Sequence, residues 1–232
     1  VNSGVAKLTV TALRSFCGFL HLEGVLMRSL VPAVPTFTYR HQAGLPKGLE
    51  SEEVRRILTS CDTTSDNGVR DLAILTLLVR LGLRRCEVSR LGFDDIDWRA
   101  GTICVHGKGN CLERLPLPVD VGHYLAQYLR HARPAKARGR TVFVRHFAPY
   151  NALSESRVST IVADAARRAG VGRVHAHRLR HTAATQLLRA GASLPEIGQV
   201  LRHHRARTTA IYAKVDHDTL RVIARTWPED AQ

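Results

Sequence analysis

Three short islands of this chain combine cations, imidazoles and a phenol, groups that bind anions, move protons and attack as nucleophiles. The first is Leu81-Gly-Leu-Arg-Arg-Cys-Glu87. Arg84 follows directly on an apolar segment, so its charge must find a partner at the edge of the core. Glu87 lies three residues on and faces the same side once a helix has begun. Taken alone, the pair reads first as an internal ion pair bracing a helix corner. The second island is His177-Arg-Leu-Arg-His181, where a helix would place His177, Arg180 and His181 on one face. Two plainer readings stand beside a catalytic one. His177 and His181 have the i,i+4 spacing of a zinc pair, although no HExxH and no nearby cysteine accompany them. The segment also fits an amphipathic helix with a basic face. The third island is Leu201-Arg-His203-His204, with Tyr212 nine residues after His203. A tyrosine there also serves as an ordinary packing residue with its hydroxyl at the surface. Singly, none of the three decides a function.

A lysine adds to them. Of 34 basic residues only five are lysine, yet Lys108 occupies the turn Gly107-Lys-Gly-Asn110. An ammonium desolvated beside other cations can release its proton near neutral pH, whereas a guanidinium cannot. Lysine therefore suits a proton-transfer role, against the alternative of a turn residue with no task.

The elements that must carry these residues are mainly helical. Apolar spacing at three and four predicts a helix over 6–22, closed by Gly24. Residues 31–48, with three prolines and two glycines, read as an extended linker. This puts a domain boundary near residue 44, with 1–43 a helical remnant plus linker and 44–232 the main domain. One or two helices are too few for an independent core. Val1 in place of Met suggests a shortened chain or an alternative start. In the main domain, Ser51 is expected to cap a helix with Glu52 and Glu53 in its first turn. A buried helix is expected over 69–83, and a second from Arg84 or Arg85 to Leu91. Two strands, 102–106 and 112–117, flank the Lys108 turn. Helices follow at 119–132, 155–169 and 177–190, the last two ended by Gly170 and Gly191. Ser193-Leu-Pro-Glu196 reads as a capping box opening a helix to about Arg202. Further helices are expected at 208–215 and 217–226. The fold class is mainly α with a small antiparallel β-sheet (α+β).

Composition narrows the partners. The 232 residues carry a formal charge of +14, with 44% hydrophobic residues, enough for a real core. The longest apolar run, Leu72 to Val79, is far too short for a membrane span. The first residues lack the basic-then-apolar pattern of a secretory leader. The five cysteines include no CxxC pair, which reads as reduced thiols in a cytosolic protein. Twenty-nine of the cations are arginine, whose fork matches phosphate oxygens two at a time, so nucleic acid is the expected partner class. An arginine-rich codon bias would produce the same composition without a partner.

In this order the islands resemble the tyrosine recombinase (phage integrase) family over residues 45–225. The matches are Arg84 with Glu87, Lys108, His177 with Arg180, His203 and Tyr212. The flanking EVSRLGFDDIDW, RHTAATQLL and TTAIYAKV agree as well. Residues 6–40 resemble only the last part of that family's core-binding domain. The resemblance implies a DNA breaking-rejoining catalytic fold and metal- and ATP-independent strand cleavage through a 3′-phosphotyrosine, with no cofactor. It implies Tyr212 as nucleophile, Arg84 and Arg180 as the phosphate clamp, and Lys108 as acid to the leaving 5′-oxygen. His177 would move the tyrosine proton and His203 would bond a non-bridging oxygen, with Glu87 and His181 in support. Arg85, Arg178, Arg202, Arg205 and Arg207 are the expected DNA contacts. Double-stranded DNA, a tetramer on paired sites and a cytoplasmic, nucleoid-associated location follow in the same way. One departure stands out. Arg202 replaces the glycine of the family's L-G-H box, and it is strained if that position needs a positive φ. Because most of one jaw of a two-domain clamp is missing, DNA binding is expected to be weak and salt-sensitive. Three other readings remain: a helix-turn-helix regulator over 193–215 without catalysis, an inactive recombinase remnant, and a type IB topoisomerase.

Overall fold

The structure, a computed structural model, describes residues 3–35, 48–107, 112–202 and 209. The chain divides into two compact units, Val1–Gly44 and Leu45–Gln232. In the first, α1 (Ser3–Leu22) ends where Gly24 turns at φ 73°. A single 3-10 turn (Val31–Ala33) follows, and Arg14 Nη1 donates to Val34 O at 3.1 Å. Leu8, Phe16, Phe19 and Leu22 of α1 are exposed.

The second unit is organised around one buried helix, α3 (Asp66–Arg80). Eleven of its fifteen residues are buried, so it is apolar nearly all round, as a central helix must be. Around it pack α2 (Ser51–Thr59), α4 (Arg85–Arg90), α5 (Val119–Gln127), α6 (Glu155–Arg168) and α7 (Ala176–Arg189). Their inward faces supply the rest of the core, including Ile57, Val88, Leu125, Ile161 and Leu179. The sheet is three-stranded and antiparallel: β1 (Ile96–Asp97), β2 (Thr102–His106) and β3 (Leu112–Pro116), in that order. Its register pairs Ile96 with Ile103 and Cys104 with Arg114. The last helix, α8 (Leu194–Val200), rests on α7 through a small separate cluster of Ala184, Ile197 and Leu201. No described helix is long and apolar enough to cross a membrane.

Several local readings are corrected. The cap of α2 is Glu50 rather than Ser51, because Glu53 reaches back to accept from the Glu50 N–H at 2.9 Å. The helix expected from residue 69 starts at Asp66, where the Ser65 hydroxyl accepts from the Gly68 N–H. A third strand joins the two expected ones. The helix expected to run unbroken to 132 ends in a π-helical turn, Tyr128–Ala132. The helix expected to reach Arg202 ends at Val200. The Lys108 turn tip and the helices expected at 208–215 and 217–226 lie outside the described residues, Thr209 apart.

Candidate active site

The site is assembled at the corner between α3 and α4. Gly82, at φ 56°, turns the chain out of the buried helix. Arg84 then adopts extended backbone (φ −79°, ψ 152°) as the N-cap of α4. Glu87 reaches back to this cap: its Oε2 accepts from the Arg84 backbone N–H at 2.7 Å, and its Oε1 from Arg84 Nη1 at 2.6 Å. One carboxylate thus satisfies an orphan helix donor and aims a guanidinium. Glu87 is buried, while the Arg84 side chain remains 33% exposed, so the charge at its open edge faces outward.

Arg180 enters from α7. It is buried, and its inner edge is bound by two carbonyls: Nη1 donates to Gly82 O at 2.5 Å and Nη2 donates to Leu201 O. Arg84 Nη2 donates to the next carbonyl along, Arg202 O, at 3.1 Å. The end of α8 therefore presents consecutive carbonyls, at 201 and 202, to the two arginines. These belong to the helix terminus, where carbonyls lack intrahelical partners and the dipole favours cations. Arg202 makes this possible by turning the chain at φ 56°, with its N–H donating to Gln199 O at 2.9 Å, the geometry of a helix C-cap turn. For a non-glycine residue that backbone costs ~1–2 kcal/mol.

The same residue requires a correction. Arg202 was expected to contact DNA, but its side chain is fully buried. Its Nη2 donates to Glu87 Oε2 at 2.8 Å and its Nη1 to Val200 O at 3.0 Å. Burial disfavours the Glu87 charge, but Arg202 and Arg84 prevail and hold the carboxyl below its usual range. Burial lowers the Arg202 pKa against the opposing pull of Glu87.

Arg84, Arg85, His177 and Arg180 line one cleft of about 610 Å³, together with His175, Cys86, Glu155 and Ser159 among others. His177 and His181 meet edge to face with ring centroids 4.3 Å apart. Desolvation, reinforced by Arg180 and Arg84, lowers the His177 pKa. Desolvation with His177 and Arg180 lowers that of His181 to about 4. Both imidazoles therefore favour the neutral form more than a free histidine does. Arg85 is exposed on the rim, 3.6 Å from Glu155, which also pairs with Arg90 at 3.3 Å. Nothing in the sequence marked Glu155 or Ser159, which reach the cleft from α6 some seventy residues along the chain. Among the described residues no three His, Cys, Asp or Glu side chains group to hold a metal. Arg178 is half-buried on α7. Lys108, His203, Arg205, Arg207 and Tyr212 lie outside the described residues.

The sequence pattern of the phage integrase family matches residues 47–218. The chain belongs to the phage integrase family. It is 44% identical over its full length to the putative integrase/recombinase y4rA of Sinorhizobium fredii, of which it spans 57%. It is 34% identical over 89% of its length to tyrosine recombinase XerD of Listeria innocua, covering 70% of that protein. Among solved structures, XerA recombinase superposes with a TM-score of 0.67 at 25% identity, over 78% of this chain and 67% of that one. The mostly helical fold with a small sheet is thus the fold of a recombinase catalytic domain. This integrase chain spans little more than half of its first relative, so what it does as a protein is a separate matter.

Proposed function

We propose that this integrase family chain cleaves and rejoins double-stranded DNA at specific sites through a 3′-phosphotyrosine. The observation that carries the reading is the convergence of Arg84, Arg180 and His177 on one open cleft, the two arginines anchored on their inner sides by Glu87 and by the carbonyls of 82, 201 and 202. Two fixed guanidiniums so arranged suit the two non-bridging oxygens of a phosphodiester. They neutralise charge on a pentacoordinate transition state without having to reorganise.

In this reading the Tyr212 hydroxyl attacks phosphorus, and its proton passes to His177. The P–O5′ bond breaks, the phosphate stays on Tyr212, and Lys108 protonates the departing 5′-oxygen. His203 bonds a non-bridging oxygen. The phosphoester bond is conserved in the intermediate, so a second 5′-hydroxyl can reverse the step on a new strand. Arg85, Arg178, Arg205 and Arg207 contact flanking phosphates, and paired sites bring copies of the chain together as a tetramer. We place this work on cytoplasmic, nucleoid DNA, and assign residues 1–43 to a core-binding domain.

The test uses a pool of nicked duplexes with a randomised central site, incubated with the chain and resolved on a denaturing gel. The expected result is a protein–DNA adduct whose captured strands share a sequence, and which Tyr212→Phe abolishes while the chain still retards the enriched duplex. Retardation by both proteins with no adduct from either favours the non-catalytic DNA-binding reading.

A further inference from the structure

Arg202 occupies a turn whose backbone suits glycine, and yet its charge is fully buried within the site. A left-handed backbone and a desolvated guanidinium both tell against arginine here, so the side chain must contribute something that the turn alone does not. Its contacts show what that is. Through Nη2 it holds Glu87 Oε2, the oxygen that also takes the Arg84 backbone N–H, while Glu87 Oε1 takes Arg84 Nη1. Its own carbonyl takes Arg84 Nη2. Arg84 is thereby gripped from two sides, by a carboxylate and a carbonyl that Arg202 itself fixes in place. We propose that Arg202 is a positioning residue that sets the Arg84 guanidinium at the phosphate end of the cleft. This rests on the strand-transfer reading of that cleft.

The alternative is a cation that only offsets a buried carboxylate. The two differ in what removal does. Without Arg202, Glu87 keeps Arg84 as its one described charged partner, and the guanidinium is drawn inward off the carbonyl of residue 202. Arg202→Gly is the natural probe, because glycine accepts φ 56° freely and leaves the turn itself unstrained. With the duplex enriched by the wild-type chain, Arg202→Gly is expected to slow adduct formation at saturating DNA by at least about tenfold while the Kd stays within about twofold, the signature of an interaction felt in the transition state. Arg202→Lys, which keeps a charge beside Glu87, is expected to regain most of the rate. Combined with Glu87→Gln, the glycine variant adds little further loss, since both act through one carboxylate.

A crystal structure of the Arg202→Gly chain needs no DNA and reads the positioning directly. Arg84 is expected to leave the carbonyl of residue 202 and close on Glu87. The proposal is overturned if Arg84 keeps its wild-type place, or if the glycine variant forms adduct at the wild-type rate. It also fails if the rate falls only as the melting temperature falls and lysine does not restore it. A wild-type chain that forms no adduct tells against strand transfer instead, and the position of Arg84 in the variant still decides the role of Arg202. Where the glycine variant does not fold, the same rate, Kd and crystal comparisons on Arg202→Lys against Arg202→Gln decide it.

Discussion

A proton placed on His181 would sit against the His177 ring and the Arg180 guanidinium, in a half-buried setting with little water to screen it. That is why its pKa falls to about 4, from near 6.5 when the chain is unfolded. The folded state then binds fewer protons than the unfolded one between these values, so its stability is fully present above about pH 6.5 and is lost as pH falls toward 4. His177, also lowered, contributes in the same direction. Glu87 acts below that window: its lowered carboxyl adds stability above its usual pKa that is lost as it protonates. The expected outcome is a melting temperature that declines in two limbs, one between pH 7 and pH 4 and one in more acid solution. His181→Gln should flatten the upper limb alone, as read by calorimetry across that range; an unchanged upper limb would remove the histidine explanation. At this scale the sequence disclosed residue types well and surroundings poorly. Arg84 with Glu87 was legible because three residues on one helix turn must meet. Arg202 was not, because nothing local announces that a cation between Leu201 and His203 turns inward to a carboxylate 115 residues earlier.

The elements hold the arginines by their ends rather than their middles. The end of α3, the cap of α4 and the end of α8 meet where Gly82 packs under Leu201, and an added Cβ at Gly82 would lie 2.6 Å from Leu201 Cδ2 and 3.4 Å from Ala183 Cβ. Gly82→Ala therefore imposes both a left-handed backbone and an overpacked contact, together worth ~2–4 kcal/mol. The lesion falls on the carbonyl that holds Arg180. Adduct formation should drop even at temperatures where the variant is fully folded. Leu201→Ala in the same chain should restore part of the stability, so that urea midpoints of the two changes are less than additive; strict additivity would mean that the two side chains do not meet. Element boundaries set by local chemistry were readable: Gly170 and Gly191 end their helices, and Ser193 with Glu196 caps α8, its N–H donating to Glu196 Oε2 at 2.7 Å. Those set by distant partners were not. β1 spans two residues, too few to show alternation, and exists because β2 offers it a ladder. Glu50 displaced Ser51 as the cap of α2, and its carboxylate pairs with Arg189 at the far end of α7.

Across the whole molecule, the 34 Lys and Arg residues overstate the cations free to meet a polyanion. Arg70 is buried against Asp71, Arg202 against Glu87, and Arg133 is occupied by the carbonyls of Val142 and Thr141 and by the face of Phe93. Arg140 and Arg55 hold exposed ion pairs with Asp94 and Glu52. Counterion release depends only on the cations that reach phosphates, each lowering the slope of log K against log salt by about 0.9. The slope for the enriched duplex is therefore set by the arginines that face it and not by the net charge. Single substitutions sort the two kinds of arginine. Arg85, exposed on the rim of the cleft, should reduce the magnitude of the slope by about 0.9 when changed to alanine. Arg202→Gly should leave it unchanged, because a side chain sealed against Glu87 displaces no counterion from DNA. Fluorescence anisotropy over a salt series measures both slopes, and a shallower slope in Arg202→Gly would mean that this guanidinium leaves the interior to meet the duplex.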